Sequence, residues 1–200
     1  MGTYAKNLRA WEIAALLALC TALCAAVWAR SRQSELSTQV LRLHVVAVSD
    51  APEEQALKLR VRDAVLACLE PELQGAQDAA QARGIVSAHL QDVADAAHAA
   101  AEGRQVSVSL GWERYPTRHY EGFALPAGEY DSLRVVLGEG EGHNWWCVVF
   151  PPLCLTAADA EKAQAVMAPE DYALICEEEG YQLRFRVLEL WGELVDWLEK

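Results

Sequence analysis

The chain is poor in positive charge: 17 Lys and Arg stand against 29 Asp and Glu, for a formal net charge of −12. Nucleic acid needs clustered cations to neutralise its phosphates, so nucleic-acid binding is excluded as a function class. No block of like charge is long enough to form a tail. Metal chemistry lacks its usual spacing, because no His-Glu-x-x-His or Cys-x-x-Cys pattern occurs and His44, His119 and His143 stand apart. No cofactor is therefore expected. The glycine run Gly138-x-Gly140-x-Gly142 opens no helix, carries Glu139 and Glu141, and offers no Lys or Arg. That is the wrong kind of loop for phosphate, and it reads as a hairpin turn. Internal repeats are missing, and low complexity goes no further than a bias to alanine.

What is present fits one globular domain with an appendage: 200 residues, 52% hydrophobic and 23% charged. The appendage is N-terminal. Ile13 to Ala29 is apolar except for Thr21, with Lys6 and Arg9 before it and Arg30 and Arg32 after it. Trp11 and Trp28 stand at its ends, where interfacial aromatics belong. As a helix this run spans roughly 27 Å, enough to cross a bilayer. It exceeds a signal-peptide core and lacks an Ala-x-Ala cleavage site, so an uncleaved anchor is the first reading and a cleaved export signal the second. The expected organisation is a membrane or signal segment over 1–32, a linker over 33–40 and an extracytoplasmic domain over 41–200. Outside the cytoplasm, Cys147 and Cys154 could bridge around Pro151-Pro152, although sequence alone does not settle the pairing. Cys68 falls on a helix face as a small buried hydrophobe.

Leu41 to Val48 has strand character, with Leu41, Leu43, Val45 and Ala47 on one face. Asp50, Pro52 and Glu53 then resemble a capping box opening a helix, with Glu54 and Lys58 as an i,i+4 pair and Pro71 near its end. Asp78 to about Glu102 reads as a second helix closed by Gly103. From Val106 the period changes to two, and Leu133 to Leu137 and Trp145 to Phe150 read as further strands. Arg114 to Gly128 reads as an irregular connection. Leu183 to Val187 suggests a late strand and Leu188 to Leu198 an amphipathic helix. This order predicts an α+β domain, with helices packed on a mostly antiparallel sheet.

The densest stretch is Asn144-Trp145-Trp146-Cys147-Val148-Val149-Phe150-Pro151-Pro152-Leu153-Cys154. On a strand, Trp145, Cys147 and Val149 point one way and Trp146, Val148 and Phe150 the other. Both faces are apolar, so the stretch is either core or a protein-binding hot spot. His143 and Cys147 make a poor base and nucleophile, because residues four apart on a strand lie roughly 13 Å apart. No catalytic residue is assigned.

Three groups of residues resemble the stage II sporulation protein R family. The first is Leu41-Arg42-Leu43-His44-Val45-Val46-Ala47-Val48-Ser49-Asp50, with Gln55-Ala56-Leu57-Lys58 and Val61-Arg62-Asp63 behind it. The second is Tyr115-Pro116-Thr117-Arg118 with Leu125-Pro126-Ala127-Gly128-Glu129-Tyr130, and the third is Asn144 to Cys154. Val48 replaces an expected Asn, and Tyr115 an expected Phe. The resemblance implies a protein made in the forespore, exported between the two sporulation membranes, and signalling to a membrane-embedded aspartic protease of the mother cell. That protease would then cleave the sigma-E precursor. The chain would be its activator rather than an enzyme. Candidate partner contacts are Arg114, Tyr115, Arg118, Tyr120, Trp145, Trp146 and Phe150. The competing expectation is an envelope enzyme with a site around Cys147, His143 and Asp50.

Overall fold

The computed structural model describes residues 2–120 and 123–151. Helix α1 (Gly2–Thr38) leads into strand β1 (Leu41–Val46), followed by helices α2 (Pro52–Leu73), α3 (Ala79–Ala88) and α4 (Leu90–Ala100). Strands β2 (Val106–Tyr115), β3 (Arg118–Tyr120), β4 (Phe123–Leu125), β5 (Gly128–Leu137) and β6 (Asn144–Phe150) complete the described elements. The late strand and helix expected after Leu183 lie outside the described residues, as do Pro152 and Cys154.

The α+β class holds, but the main sheet is mixed rather than mostly antiparallel. Its order is β2-β5-β1-β6, with β1 parallel to β5 and the other two pairs antiparallel. Three helices intervene before the chain returns as β2, and β2 and β5 then pair antiparallel. That return leaves β5 running alongside β1 in the same direction. Leu41, Leu43, Val45, Leu133, Val135, Leu137, Cys147 and Val149 form one face, buried with Leu57, Val61, Val65, Leu69, Val86, Val93 and Ala97 of the helices. Each such aliphatic side chain contributes roughly 1.5–3 kcal/mol by leaving water. Arg42, His44, Ser132 and Trp146 alternate to the opposite face.

The glycine run is not a hairpin turn, because β1 lies between β5 and β6. The loop instead crosses the end of β1 at close range. A Cβ on Gly140 would sit 2.6 Å from Val136, and one on Gly142 would sit 2.4 Å from the Ser49 carbonyl oxygen. Gly138 and Gly140 also take positive φ values, 56° and 68°. Closeness rather than flexibility explains the glycines.

Local expectations shift in five places. Ala51, not Asp50, is the N-cap of α2, and no side chain caps it, so the expected box does not form. Glu54 pairs with Arg104 at 2.6 Å, while Lys58 turns inward and is buried. Pro71 sits inside the last turn of α2 rather than ending it, and removes one i→i−4 backbone bond from that turn. The single second helix is two helices, α3 and α4, broken at His89 (φ −101°, ψ 17°). The His89 ring is held there by Asp92 at 2.9 Å and Glu72 at 3.4 Å. The irregular connection is also more regular than expected: β2 continues to Tyr115, and β3 pairs with β4 in a small separate sheet.

Among the described residues no helix is long and apolar enough to cross a membrane. The expected spanning segment is therefore not found there. Helix α1 does leave Trp11, Ile13, Leu16, Leu17, Leu19, Leu23, Val27 and Trp28 exposed, whereas Leu36 and Val40 near its end are buried against the domain.

Candidate functional site

Alternation along β6 sends the two adjacent tryptophans to opposite faces. Trp145 opposes Val45 and packs at the edge of the helix-covered core, with the Arg62 guanidinium 4.5 Å from its ring centre. Trp146 opposes His44 on the other face. Its indole stacks on the His44 imidazole at 3.8 Å and 14°, and meets Tyr115 edge-on at 4.6 Å. Arg118, at the start of β3, lies 5.2 Å over the same indole.

His44 holds this platform still. Its Nδ1 is 2.8 Å from Glu113 Oε1, and its Nε2 is 2.7 Å from Asn144 Oδ1. Ser132 donates to the other Glu113 oxygen at 2.9 Å, and the Tyr115 hydroxyl lies 2.6 Å from Ser132 Oγ. Burial would raise the Glu113 carboxyl, but hydrogen bonds from His44 and Ser132, with the charges of His44 and Arg134, hold it below its ordinary value. The buried Arg42 guanidinium lies 3.8 Å over the Tyr115 ring and 5.0 Å from Tyr130. Strands β1, β2, β5 and β6 thus converge on one polar and aromatic cluster. Polar groups inside a protein rigidify what they touch when they are satisfied, as His44, Glu113 and Ser132 are here.

A second cluster clamps the crossing loop. Asp50 accepts from the His143 backbone N–H at 2.7 Å and from its ring Nδ1. Those bonds hold the exposed Asp50 carboxyl below its ordinary value. Lys58 donates to the His143 carbonyl at 2.9 Å and to Gln55 Oε1 at 2.6 Å, and burial pushes its ammonium downward. The clamp delivers Asn144 to His44. It does not bring His143 and Cys147 together: Cys147 is buried in the helix-covered core, whereas His143 is exposed, so the two share no solvent-facing space.

The remaining candidates scatter. Arg114 is exposed on β2, Tyr115 is buried in the cluster, and Phe150 joins the core. Tyr120 ends β3, and its side chain lies outside the described residues, as does Cys154, the expected bridge partner of Cys147. His44, Glu113, Ser132 and Asn144 were not expected as a group. Sequence reading treats His44 as isolated because its partners lie 69 and 100 residues away. The one available signal was a polar residue at an alternate position of an otherwise apolar strand. Among the described residues no group of His, Cys, Asp and Glu could hold a metal ion.

The family model described as stage II sporulation protein R matches residues 37–160. Stage II sporulation protein R of Bacillus subtilis (strain 168) is 35% identical over 137 residues, covering 66% of this chain and 60% of the relative. The match thus spans less than two thirds of the relative's own length. No solved structure matches.

Proposed function

The chain belongs to the stage II sporulation protein R family, and from that membership we propose that it is an extracytoplasmic signal that activates the protease processing pro-sigma-E. The family match over residues 37–160 carries this reading, since it takes in the main sheet, helices α2, α3 and α4, and the Trp146 cluster. On this reading the chain acts by binding. A surface of the domain binds the membrane-embedded aspartic protease and favours its active state, which requires tighter binding to that state than to the inactive one. The surface is the accessible margin of the Trp146 side of the sheet, with Arg114, Arg118 and Arg134, since His44, Ser132 and Tyr115 beneath it are themselves buried. The exposed apolar residues of α1 support a role in holding the domain at a membrane between forespore and mother cell.

Complementation tests the proposal. The full chain is expressed in a sporulating host lacking its own copy, and precursor cleavage is followed by immunoblot. Restored cleavage is expected. No cleavage despite confirmed export would overturn the assignment.

A further inference from the structure

Arg118 differs from five other arginines of the domain in what it lacks. Arg60 meets Glu102, Arg62 meets Asp63, Arg83 meets Asp131, Arg104 meets Glu54, and Arg134 lies near Glu113. Arg118 meets the Trp146 indole and, among the described residues, no carboxylate. Its Nε is buried and, among the described residues, has no hydrogen-bond acceptor. In a chain of net charge −12 such a cation is conspicuous.

The chemistry of that arrangement is specific. A guanidinium over an aromatic face uses its π surface and keeps its N–H donors in the plane, aimed sideways. Those donors match the two oxygens of a carboxylate. The platform beneath is fixed, because Trp146 is stacked on His44, and His44 is bound at both ring nitrogens. The strand carrying Arg118 is anchored just before it, where Thr117 Oγ1 accepts from the Ala127 N–H at 3.1 Å. The Nε is enclosed by the chain, so the donors left for an incoming acceptor are those of the terminal guanidinium nitrogens, which are not among the enclosed atoms.

We infer that Arg118 on Trp146 is a carboxylate-binding site, and that its ligand is an Asp or Glu in an outward-facing segment of the protease. This inference rests on the proposed function and names the chemistry of its contact. Trp146 supplies the apolar floor, Arg118 the paired donors, and His44 positions the indole.

The test uses the full chain and its Arg118→Glu, Arg118→Gln and Arg118→Lys variants. Folding is monitored by circular dichroism, and signalling by precursor cleavage in the complemented host. Binding is measured with short synthetic peptides from the protease's outward-facing segments, each acidic one beside a copy with Asn and Gln in place of Asp and Glu. The wild-type chain should bind an acidic peptide, lose most binding to its amide copy, and weaken as salt rises. Arg118→Gln should weaken binding roughly ten- to a hundredfold, as for loss of a charge-assisted hydrogen bond. Arg118→Lys should retain part of it, and Arg118→Glu should abolish cleavage while remaining folded. A Lys at the matching acid of the protease should rescue Arg118→Glu. Normal cleavage and peptide binding in folded Arg118→Gln and Arg118→Glu would overturn the inference while leaving the signalling role intact. Unfolding of both variants, with no peptide bound by the wild type, would also overturn it, because the cation would then serve a site within the chain or a second copy. Failure of the wild-type chain itself to restore cleavage would instead sink the functional proposal.

Discussion

The two faces of the four-stranded sheet come from alternate residues of the same strands, yet they are built on opposite principles. The helix-covered face is aliphatic: Leu43, Val45, Leu133 and Val135 pack on α2, α3 and α4 with no hydrogen bonds to satisfy. The other face joins His44, Glu113, Ser132, Tyr115 and Asn144 by hydrogen bonds and stacks Trp146 on the result. Aliphatic packing gives stability in proportion to buried area and tolerates small rearrangements. A satisfied polar network gives less net stability but fixes geometry. The fold places its aliphatic packing on one face and its precisely held, largely buried polar groups on the other.

Substitutions should separate the two. Leu43→Ala or Leu133→Ala, both fully buried, should cost about 2–5 kcal/mol in urea unfolding. Loss of signalling in these variants should track the unfolded fraction. Gly142→Ala strikes where the crossing loop ties the faces together. Its Cβ would meet the Ser49 carbonyl oxygen, so about 1–3 kcal/mol should be lost. A stability near wild type would mean that the loop is looser than its glycines suggest.

Glu113→Gln probes the polar face, with an expected cost of about 1–2 kcal/mol at neutral pH. Its pH dependence is more telling. The folded carboxyl titrates below its ordinary value of 4.5, so its contribution is present above that pH and disappears as pH falls through the lower folded value. The wild-type urea midpoint should therefore drop on acidification below pH 4.5, and the variant should lose that part of the drop. Identical acid profiles would show that the network does not stabilise the fold through Glu113. The smallest effect should come from Arg62→Ala on the Trp145 side. A partly exposed cation over a ring is worth about 0.5–1 kcal/mol, and signalling should be unchanged.

Much of the helix-covered face was legible in the sequence. The alternation in Leu41, Leu43 and Val45 and the helical spacing of Leu57, Val61 and Val65 identify it from local pattern alone. Alternation also shows that Trp145 and Trp146 must part, but not which of them meets the core. That choice depends on β6 lying beside β1, a pairing between residues about a hundred positions apart. The same limit produced the hairpin reading of Gly138 to Gly142. Turn chemistry is local, whereas the strand inserted between β5 and β6 comes from the start of the domain. Asp50 was read as a cap because the cap pattern is local, and its actual partner, His143, is 93 residues away. What sequence could not supply in each case was a long-range partner.

The central claim is that the partner meets the Trp146 face and not the helix-covered one. Site-specific photocrosslinking tests it most directly, with the probe placed at exposed Arg134, in the His44–Trp146 row of the sheet, or at exposed Asp63 on α2. In sporulating cells carrying a tagged protease, the account predicts a protease adduct from position 134 and none from position 63. An adduct from position 63 alone would contradict it.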